Sequence, residues 1–174
     1  MLRTLIVILL TASFSLLLSP FSIAAEHSVV YLVRHAEKRL DQGRDPELTN
    51  RGQHRADHYA EMFRDAGIGF IYSTQYKRTM DTVAPLALAL KQEVIAYNPD
   101  KLDALARKIK AEAGVYFVSG HSDTTPELVE VLGGVAGAEI DEDHEFDRVY
   151  QLIINKDGSV YTHRLRSLPP PKHD

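Results

Sequence analysis

Two histidines and an arginine follow apolar runs of this sequence, where they could act on a phosphate group. Arg34 and His35 come directly after the run 29–33, and His121 closely follows the run 115–118. A neutral imidazole can attack phosphorus and carry the phosphoryl group. A planar guanidinium group matches phosphate oxygens with paired hydrogen bonds. These residue types therefore predict a nucleophile beside a site that binds an anion.

A second arginine and a hydroxyl group complete the predicted pocket. Arg78 lies at the predicted start of a helix, where free backbone N–H groups and the helix dipole favour an anion. Ser122 follows the second histidine and either donates to the phosphate or caps the next helix. A protonated His121 would add a donor and a positive charge. Because the arginines supply the charge that a metal ion would bring, these residues require no metal and no cofactor.

The leaving oxygen of a phosphate ester needs a proton, so a carboxylic acid is expected near the pocket. Glu37 and Asp123 are the candidates, because each lies two residues after one of the two histidines. Asp100 and Asp103 are interpreted as capping residues of a helix instead. The identity of the acid stays open between Glu37 and Asp123.

Alternating apolar runs and helical stripes predict the elements that must position these side chains. Strands that alternate with helices indicate an α/β fold of three α/β/α layers with a mostly parallel central sheet. The carboxyl ends of parallel strands share one edge, so the polar residues that follow them can converge. The runs 150–154 and 159–162 flank Asp157-Gly158 and predict a C-terminal β-hairpin. The four earlier predicted strands are 29–33, 70–72, 93–97 and 115–118.

Both ends of the chain are predicted to lie outside the folded domain. Arg3 precedes a long apolar stretch, and small residues follow up to Ala25, as in a secretory signal peptide. The alternative is an uncleaved membrane anchor, but the stretch is shorter than the ~20 residues that span a bilayer. We therefore expect export to the periplasm or the medium, without stable membrane insertion after cleavage. The predicted boundaries are 1–25 for the signal peptide, 26–168 for one domain and 169–174 for a flexible proline-rich tail.

Composition and charge exclude several classes of function. The chain has 174 residues, a formal net charge of −4 and no cysteine. Its basic residues are spread along the sequence rather than clustered, which gives no indication of nucleic-acid binding. Without cysteine, a thiol nucleophile, a thiolate metal site and a disulfide framework are all excluded.

Four segments, in order, resemble the signature of the histidine phosphatase superfamily, branch 1, which has the phosphoglycerate-mutase-like fold. The resemblance implies that His35 is the phosphorylated nucleophile and that Arg34, Arg78 and His121 form the phosphate pocket. One departure is Ala36, where the family usually has glycine. The matching segments are Arg34-His35-Ala36-Glu37 for Arg-His-Gly, residues 48–53 for Leu-Thr-x-x-Gly, Ser73 with Arg78 and Thr82 for Ser-x-x-x-Arg-x-x-x-Thr at slightly longer spacing, and Gly120-His121-Ser122 for the second-histidine motif.

The sequence thus predicts an exported phosphatase that acts on phosphate monoesters or phosphoramidates. Its substrate would be a phosphorylated small molecule or a phosphoprotein. The small domain leaves little room for a segment that covers the site. This favours a shallow, open pocket, as in the small phosphohistidine-phosphatase-like members of the family.

Three alternatives remain open at this point. The first is an envelope protein that binds phosphate or phosphoglycan with little or no turnover. The second is a metal-dependent hydrolase that uses His35, Glu37, His121 and Asp123. The third is a non-catalytic envelope protein whose polar residues lie far apart.

Overall fold

The computed structural model of the protein describes residues 27–167. The predicted signal peptide and the predicted proline-rich tail lie outside these residues. Four α-helices and six strands alternate along most of the described chain, with one 3₁₀ turn. The elements are β1 (His27–Arg34), α1 (Asn50–Phe63), β2 (Phe70–Ser73), α2 (Lys77–Leu90), β3 (Val94–Ala96), the 3₁₀ turn (Pro99–Lys101), α3 (Leu102–Ala111), β4 (Val115–Gly120), α4 (Thr124–Val131), β5 (Arg148–Asn155) and β6 (Val160–Arg166).

All six strands belong to one mixed sheet in the order β3-β2-β4-β1-β5-β6. The pairs β3–β2, β2–β4 and β4–β1 are parallel. The pairs β1–β5 and β5–β6 are antiparallel. The predicted α/β fold with a mostly parallel sheet is confirmed. Parallel strands need crossover connections, and here helices provide them.

Helices cover both faces of the sheet and bury a separate apolar cluster on each. On one face, Tyr59 and Phe63 of α1 pack with Leu86 of α2 against Phe117 of β4. On the other face, α3 and α4 pack against Leu32, Val118 and the neighbouring strands. Because β1 and β4 lie in the middle of the sheet, both of their faces are covered, which explains their nearly continuous apolar runs.

The register of the central strands aligns the two histidine segments. Arg34 lies opposite Gly120 in the β1–β4 pair, and the N–H of His35 donates to the carbonyl of Gly120 at 2.9 Å. Ser73 at the end of β2 lies opposite Ser119. The three strand ends therefore deliver their polar residues to one edge of the sheet, as the sequence predicts.

One prediction about the helix starts next to this edge is wrong, namely that Asp100 is a cap. The side chain of Asn98, not Asp100, caps the 3₁₀ turn before α3 by accepting from the N–H of Asp100 at 2.9 Å. Asp100 is exposed and is free for another role. Asp123 does act as a cap, since its carboxylate accepts from the N–H of Thr124 at 2.7 Å.

Between His27 and Ser167, no helix has the length and apolar character needed to cross a membrane.

Candidate active site

A cavity of about 310 Å³ opens at the carboxyl edge of the central strands. Five residues that the sequence singles out line it: His35, Arg78, His121, Ser122 and Asp123. They come from the ends of β1 and β4 and from the start of α2. The alternative in which these polar groups lie far apart is therefore wrong.

His35 lies in the wall of the cavity with only 2% of its surface exposed. Its Nδ1 is 2.8 Å from the carbonyl oxygen of Ala36. Because a carbonyl can only accept, Nδ1 carries the proton and Nε2 keeps a lone pair. The pKa of His35 is lowered to about 3, mainly by burial; the Ala36 carbonyl opposes this shift, and the charges of Arg34 and Arg78 add to it. The ring is thus a neutral potential nucleophile across the physiological pH range.

His121 faces His35 edge-on, with 5.7 Å between the ring centroids. Nη2 of Arg78 lies 3.2 Å from its Nδ1, and a guanidinium group can only donate, so Nδ1 accepts and Nε2 carries the proton. Nε2 then donates to Oγ1 of Thr74 at 3.1 Å. Burial and the charge of Arg78 lower the pKa of His121 to about 4, so the ring is neutral at pH 7. A phosphate dianion beside the ring would favour its protonation.

Arg78, the second residue of α2, has hydrogen-bond donors that no described protein group accepts from. Besides the bond to His121, its Nη1 is 3.9 Å from Oδ1 of Asp45, beyond hydrogen-bonding distance. Nε and Nη1 are buried without a hydrogen-bond partner among the described residues. A buried donor without a partner is costly. Phosphate oxygens in the cavity would accept from these two nitrogens.

Arg34 is placed differently from the prediction. Its side chain is 1% exposed and is not part of the cavity wall. Nη1 donates to the carbonyls of Asp141 and Glu145 at 3.0 and 3.1 Å, and Nη2 donates to the carbonyl of Glu142 at 2.6 Å. Loop carbonyls accept from both Nη atoms of Arg34, so only Nε and one hydrogen of Nη2 remain for an anion. Its charge and its Nε, buried without a partner, remain beside His35.

The prediction of Glu37 as a candidate for the acid that protonates the leaving group is wrong. Its carboxylate accepts from Nε and Nη2 of Arg55 at 2.9 and 2.7 Å and pairs with Arg51 at 3.1 Å. Burial raises its pKa, but the hydrogen bonds and charges of the arginines outweigh this effect and hold the pKa below its usual range. Glu37 is therefore an ionised structural partner, and Arg55 in turn donates to Ser167 at 2.9 Å.

Several cavity residues have no counterpart in the sequence prediction. Lys38 lies in the wall, with its Nζ 3.2 Å from a carboxylate oxygen of Glu142. Tyr76 stacks under the guanidinium group of Arg78, 4.5 Å from ring centroid to Cζ. Glu142 is a carboxylate of the wall in addition to Asp100 and the predicted Asp123. Lys38 and Glu142 lie in irregular segments, where no periodicity signals which way a side chain points.

Close backbone packing holds the two histidine segments in place. An added Cβ at Gly52 would collide with the carbonyl oxygen of Glu37, and one at Gly120 would lie 2.7 Å from Oγ1 of Thr125. Ala36, at the position where the family usually has glycine, is fully buried. Its N–H donates to Oγ1 of Thr82 at 2.9 Å, which ties this segment to α2.

Histidine and carboxylate groups form no candidate metal centre within 27–167, since no three of them come together. The four residues suggested as the site of a metal-dependent hydrolase do not all come together. His35 and His121 face each other, but Glu37 is paired with Arg55.

Comparison with known sequences gives a match to one family model. The sequence model of the histidine phosphatase superfamily (branch 1) matches residues 30–99, which include His35 and Arg78. The chain is therefore similar to this superfamily over these residues. A search of curated proteins gives no match.

Solved structures show the same fold. The protein histidine phosphatase SixA complexed with tungstate has a TM-score of 0.64 at 15% identity, over 80% of this chain and 97% of that one. A phosphoserine phosphatase from Entamoeba histolytica, complexed with 3-phosphoglyceric acid, has a TM-score of 0.59 at 14% identity, over 81% of this chain and 98% of that one. Family and fold together support phosphatase activity, and hence a hydrolase.

Proposed function

We propose that the protein hydrolyses phosphate monoesters or phosphoramidates through a phosphohistidine intermediate on His35. The observation that carries this proposal is the state of His35. Its Nδ1–H is engaged by the carbonyl of Ala36, and burial keeps the ring neutral, so the lone pair of Nε2 is the free nucleophile in a phosphate-sized pocket. Recognition of a substrate then involves its phosphate group and the leaving group that is bonded to it.

In the first step, Nε2 of His35 attacks phosphorus and forms a P–N bond as the bond to the leaving oxygen or nitrogen breaks. The leaving atom takes a proton from a carboxylic acid of the pocket. Arg78 donates from its two unpartnered nitrogens, Nε and Nη1, to the equatorial oxygens, and His121 and Ser122 line the same cavity. The charge of Arg34 behind His35 adds to the positive potential.

In the second step, water attacks the phosphohistidine. The same carboxylate, now deprotonated, accepts the proton of the water as the P–N bond breaks. Inorganic phosphate leaves and Nε2 regains its lone pair. Because this scheme uses only protein groups, it needs neither a metal nor another cofactor.

We assign the acid to Asp123, the predicted candidate that lines the cavity. One of its carboxylate oxygens accepts from the N–H of Thr124, and the other is available to the substrate. Asp100 and Glu142 are the other carboxylates of the wall, and Glu142 is already paired with Lys38.

Asp123→Asn should reduce kcat/KM for an alkyl phosphate by about 10²–10⁴-fold, because the poor leaving group needs a proton. Hydrolysis of p-nitrophenyl phosphate should change far less, because its leaving group departs without one. The asparagine oxygen can still cap Thr124, so the helix start is kept. Asp100→Asn and Glu142→Gln are the matched controls. If one of them shows the selective loss instead, the acid is that residue.

The function itself is tested by steady-state hydrolysis of an aryl phosphate before and after exhaustive chelation. The proposal expects turnover that survives chelation. Loss of activity on chelation, with recovery when a metal is added, would favour a metal-dependent hydrolase. Binding of phosphate or vanadate without turnover, over a broad set of phosphate esters and phosphoramidates, would favour an envelope protein that binds phosphate or phosphoglycan.

We also propose that the protein is exported and acts in the periplasm or the medium. The support is the predicted signal peptide 1–25, ahead of a catalytic domain over 26–168 and a proline-rich tail over 169–174. Mass spectrometry of the protein from cell fractions measures the mature N-terminus. A start at residue 25 or 26 in the exported fraction agrees with the proposal, and full-length protein in the cytoplasm contradicts it.

A further inference from the structure

A second cavity of about 410 Å³ lies next to the cavity that contains His35. The two share Tyr76, Pro99 and Asp100 in their walls. The second cavity continues from there along the end of β3. Its volume falls in the usual range for small-molecule sites, ~300–1,000 Å³. A molecule whose phosphate lies beside Arg78 and His121 can therefore extend past Tyr76 and Asp100 into it.

The second cavity has an uncharged polar wall with one carboxylate. Gln75 and Asn98 are exposed amide side chains. The oxygen of Asn98 accepts from the N–H of Asp100, which leaves its amide hydrogens as donors. The carboxylate of Asp100 forms no ion pair with a residue of the described chain and can accept. No lysine or arginine lines this cavity.

This wall matches the chemistry of a sugar. Amide and carboxylate groups offer several donors and acceptors close together, as a ring with many hydroxyl groups requires. Tyr76, 40% exposed, adds an aromatic surface for the apolar face of such a ring. Because the cavity contains no cation, a second anionic group on the leaving part of the substrate would meet only Asp100 and would be disfavoured.

We propose that the second cavity binds the leaving group of the substrate and that the substrates are sugar phosphates. The inference rests on the proposed phosphatase function and adds its specificity. Gln75 and Asn98 are the specificity residues, since they line the second cavity but not the one that contains His35.

The test fills the second cavity with a large side chain, at a position outside the cavity that contains His35. Ala96 is exposed at the end of β3 and lines the second cavity. Ala96→Trp should lower kcat/KM for glucose 6-phosphate by at least about tenfold, a typical effect of lost contacts in a specificity pocket, and leave methyl phosphate unchanged. Ile95→Trp is the matched control, because neighbouring residues of a strand point to opposite faces. Asn98→Asp, which keeps the capping oxygen and removes the amide donors, should act in the same direction as Ala96→Trp.

The wild-type protein should also prefer glucose 6-phosphate to n-hexyl phosphate, an ester of similar size without hydroxyl groups. Equal or better hydrolysis of n-hexyl phosphate or of phosphoethanolamine would overturn the sugar assignment. An equal loss for methyl phosphate and glucose 6-phosphate in Ala96→Trp, or no loss for either, would overturn the subsite.

Calorimetric titration separates this inference from the proposed function. If no ester is hydrolysed, the phosphatase proposal fails, and binding decides the subsite. Ala96→Trp should then weaken binding of glucose 6-phosphate by at least about tenfold while inorganic phosphate binds both proteins equally. Equal affinity of the two proteins for glucose 6-phosphate would overturn the subsite independently of catalysis.

Discussion

Replacing His35 with asparagine is expected to lower kcat/KM for an aryl phosphate by at least about 10⁴-fold, as removal of a nucleophile does in other hydrolases. This corresponds to roughly 5 kcal/mol of lost transition-state stabilisation. Asparagine has no lone pair that can attack phosphorus, but its amide can still donate to the carbonyl of Ala36. Since burial lowers the pKa of His35 to about 3, its protonation should not limit the wild-type rate above about pH 4.

The measurement has two parts. Steady-state kinetics gives the loss of kcat/KM, and rapid quenching with a ³²P-labelled substrate should trap label on the wild-type protein that is lost in mild acid and stable in alkali, as a phosphoramidate is. His163→Ala, an exposed histidine on β6, is the control and should keep wild-type activity. A phosphate-induced rise in Tm in His35→Asn shows that the pocket is intact. Activity of His35→Asn within tenfold of wild type would refute the assignment of the nucleophile.

Arg78→Met is expected to lower kcat/KM by about 10²–10³-fold, the usual cost of removing a preorganised donor to a developing oxyanion. The substitution removes the buried donors Nε and Nη1, and it also removes the hydrogen bond to Nδ1 of His121. The effect should therefore exceed that of losing one unit of charge. Arg78→Lys keeps the charge but lacks the planar set of donors, so it should recover only part of the rate.

Lys77→Met is the matched control for charge. Lys77 precedes Arg78 in α2, pairs with Glu47 on the surface and does not line the cavity. It should keep activity within about twofold, because exposed charges have weak, screened effects. Inorganic phosphate should lose affinity in Arg78→Met and keep it in Lys77→Met. An equal fall in both variants would mean that general potential, rather than direct contact, attracts the phosphate.

The fold could be predicted from the sequence because the apolar runs of the strands and the apolar stripes of the helices are local signals that agree with one another. The bounds of α2 agree with the apolar stripe of its sequence, Lys77–Leu90. The central strands read as continuous apolar runs because both their faces are covered. Once three parallel strands end at one edge, the meeting of His35 with His121 and Arg78 follows from topology alone.

The roles of Glu37 and Arg34 could not be predicted, because a loop sequence does not specify where a side chain points. A signal for Glu37 was nevertheless present. Arg55 occupies the apolar face of α1 beside Ala56 and Tyr59, and a buried arginine requires a carboxylate partner. Nothing comparable marks Arg34, whose partners are main-chain carbonyls more than 100 residues away.

Lys38 and Glu142 are cavity residues that could not be predicted from the sequence, for the same reason. Each lies in an irregular segment, and only the folded chain brings them within 3.2 Å of each other at the cavity. The sequence predicts Asp100 as a helix cap because Asp is common at that position, but Asn98, two residues earlier, is the cap. Local preference could not distinguish the two.

The carbonyls of Asp141, Glu142 and Glu145 that bind Arg34 have a thermodynamic consequence. The loop over 141–146 holds the guanidinium group through both Nη atoms, and an anion beside His35 that accepts from the unpartnered Nε would favour the same orientation. Two ligands that favour one conformation are linked reciprocally, so each strengthens the binding of the other by the same factor. Amide hydrogens of this loop should therefore exchange more slowly with solvent when phosphate is bound, including those of residues other than Glu142, the one residue of 141–146 that lines the cavity.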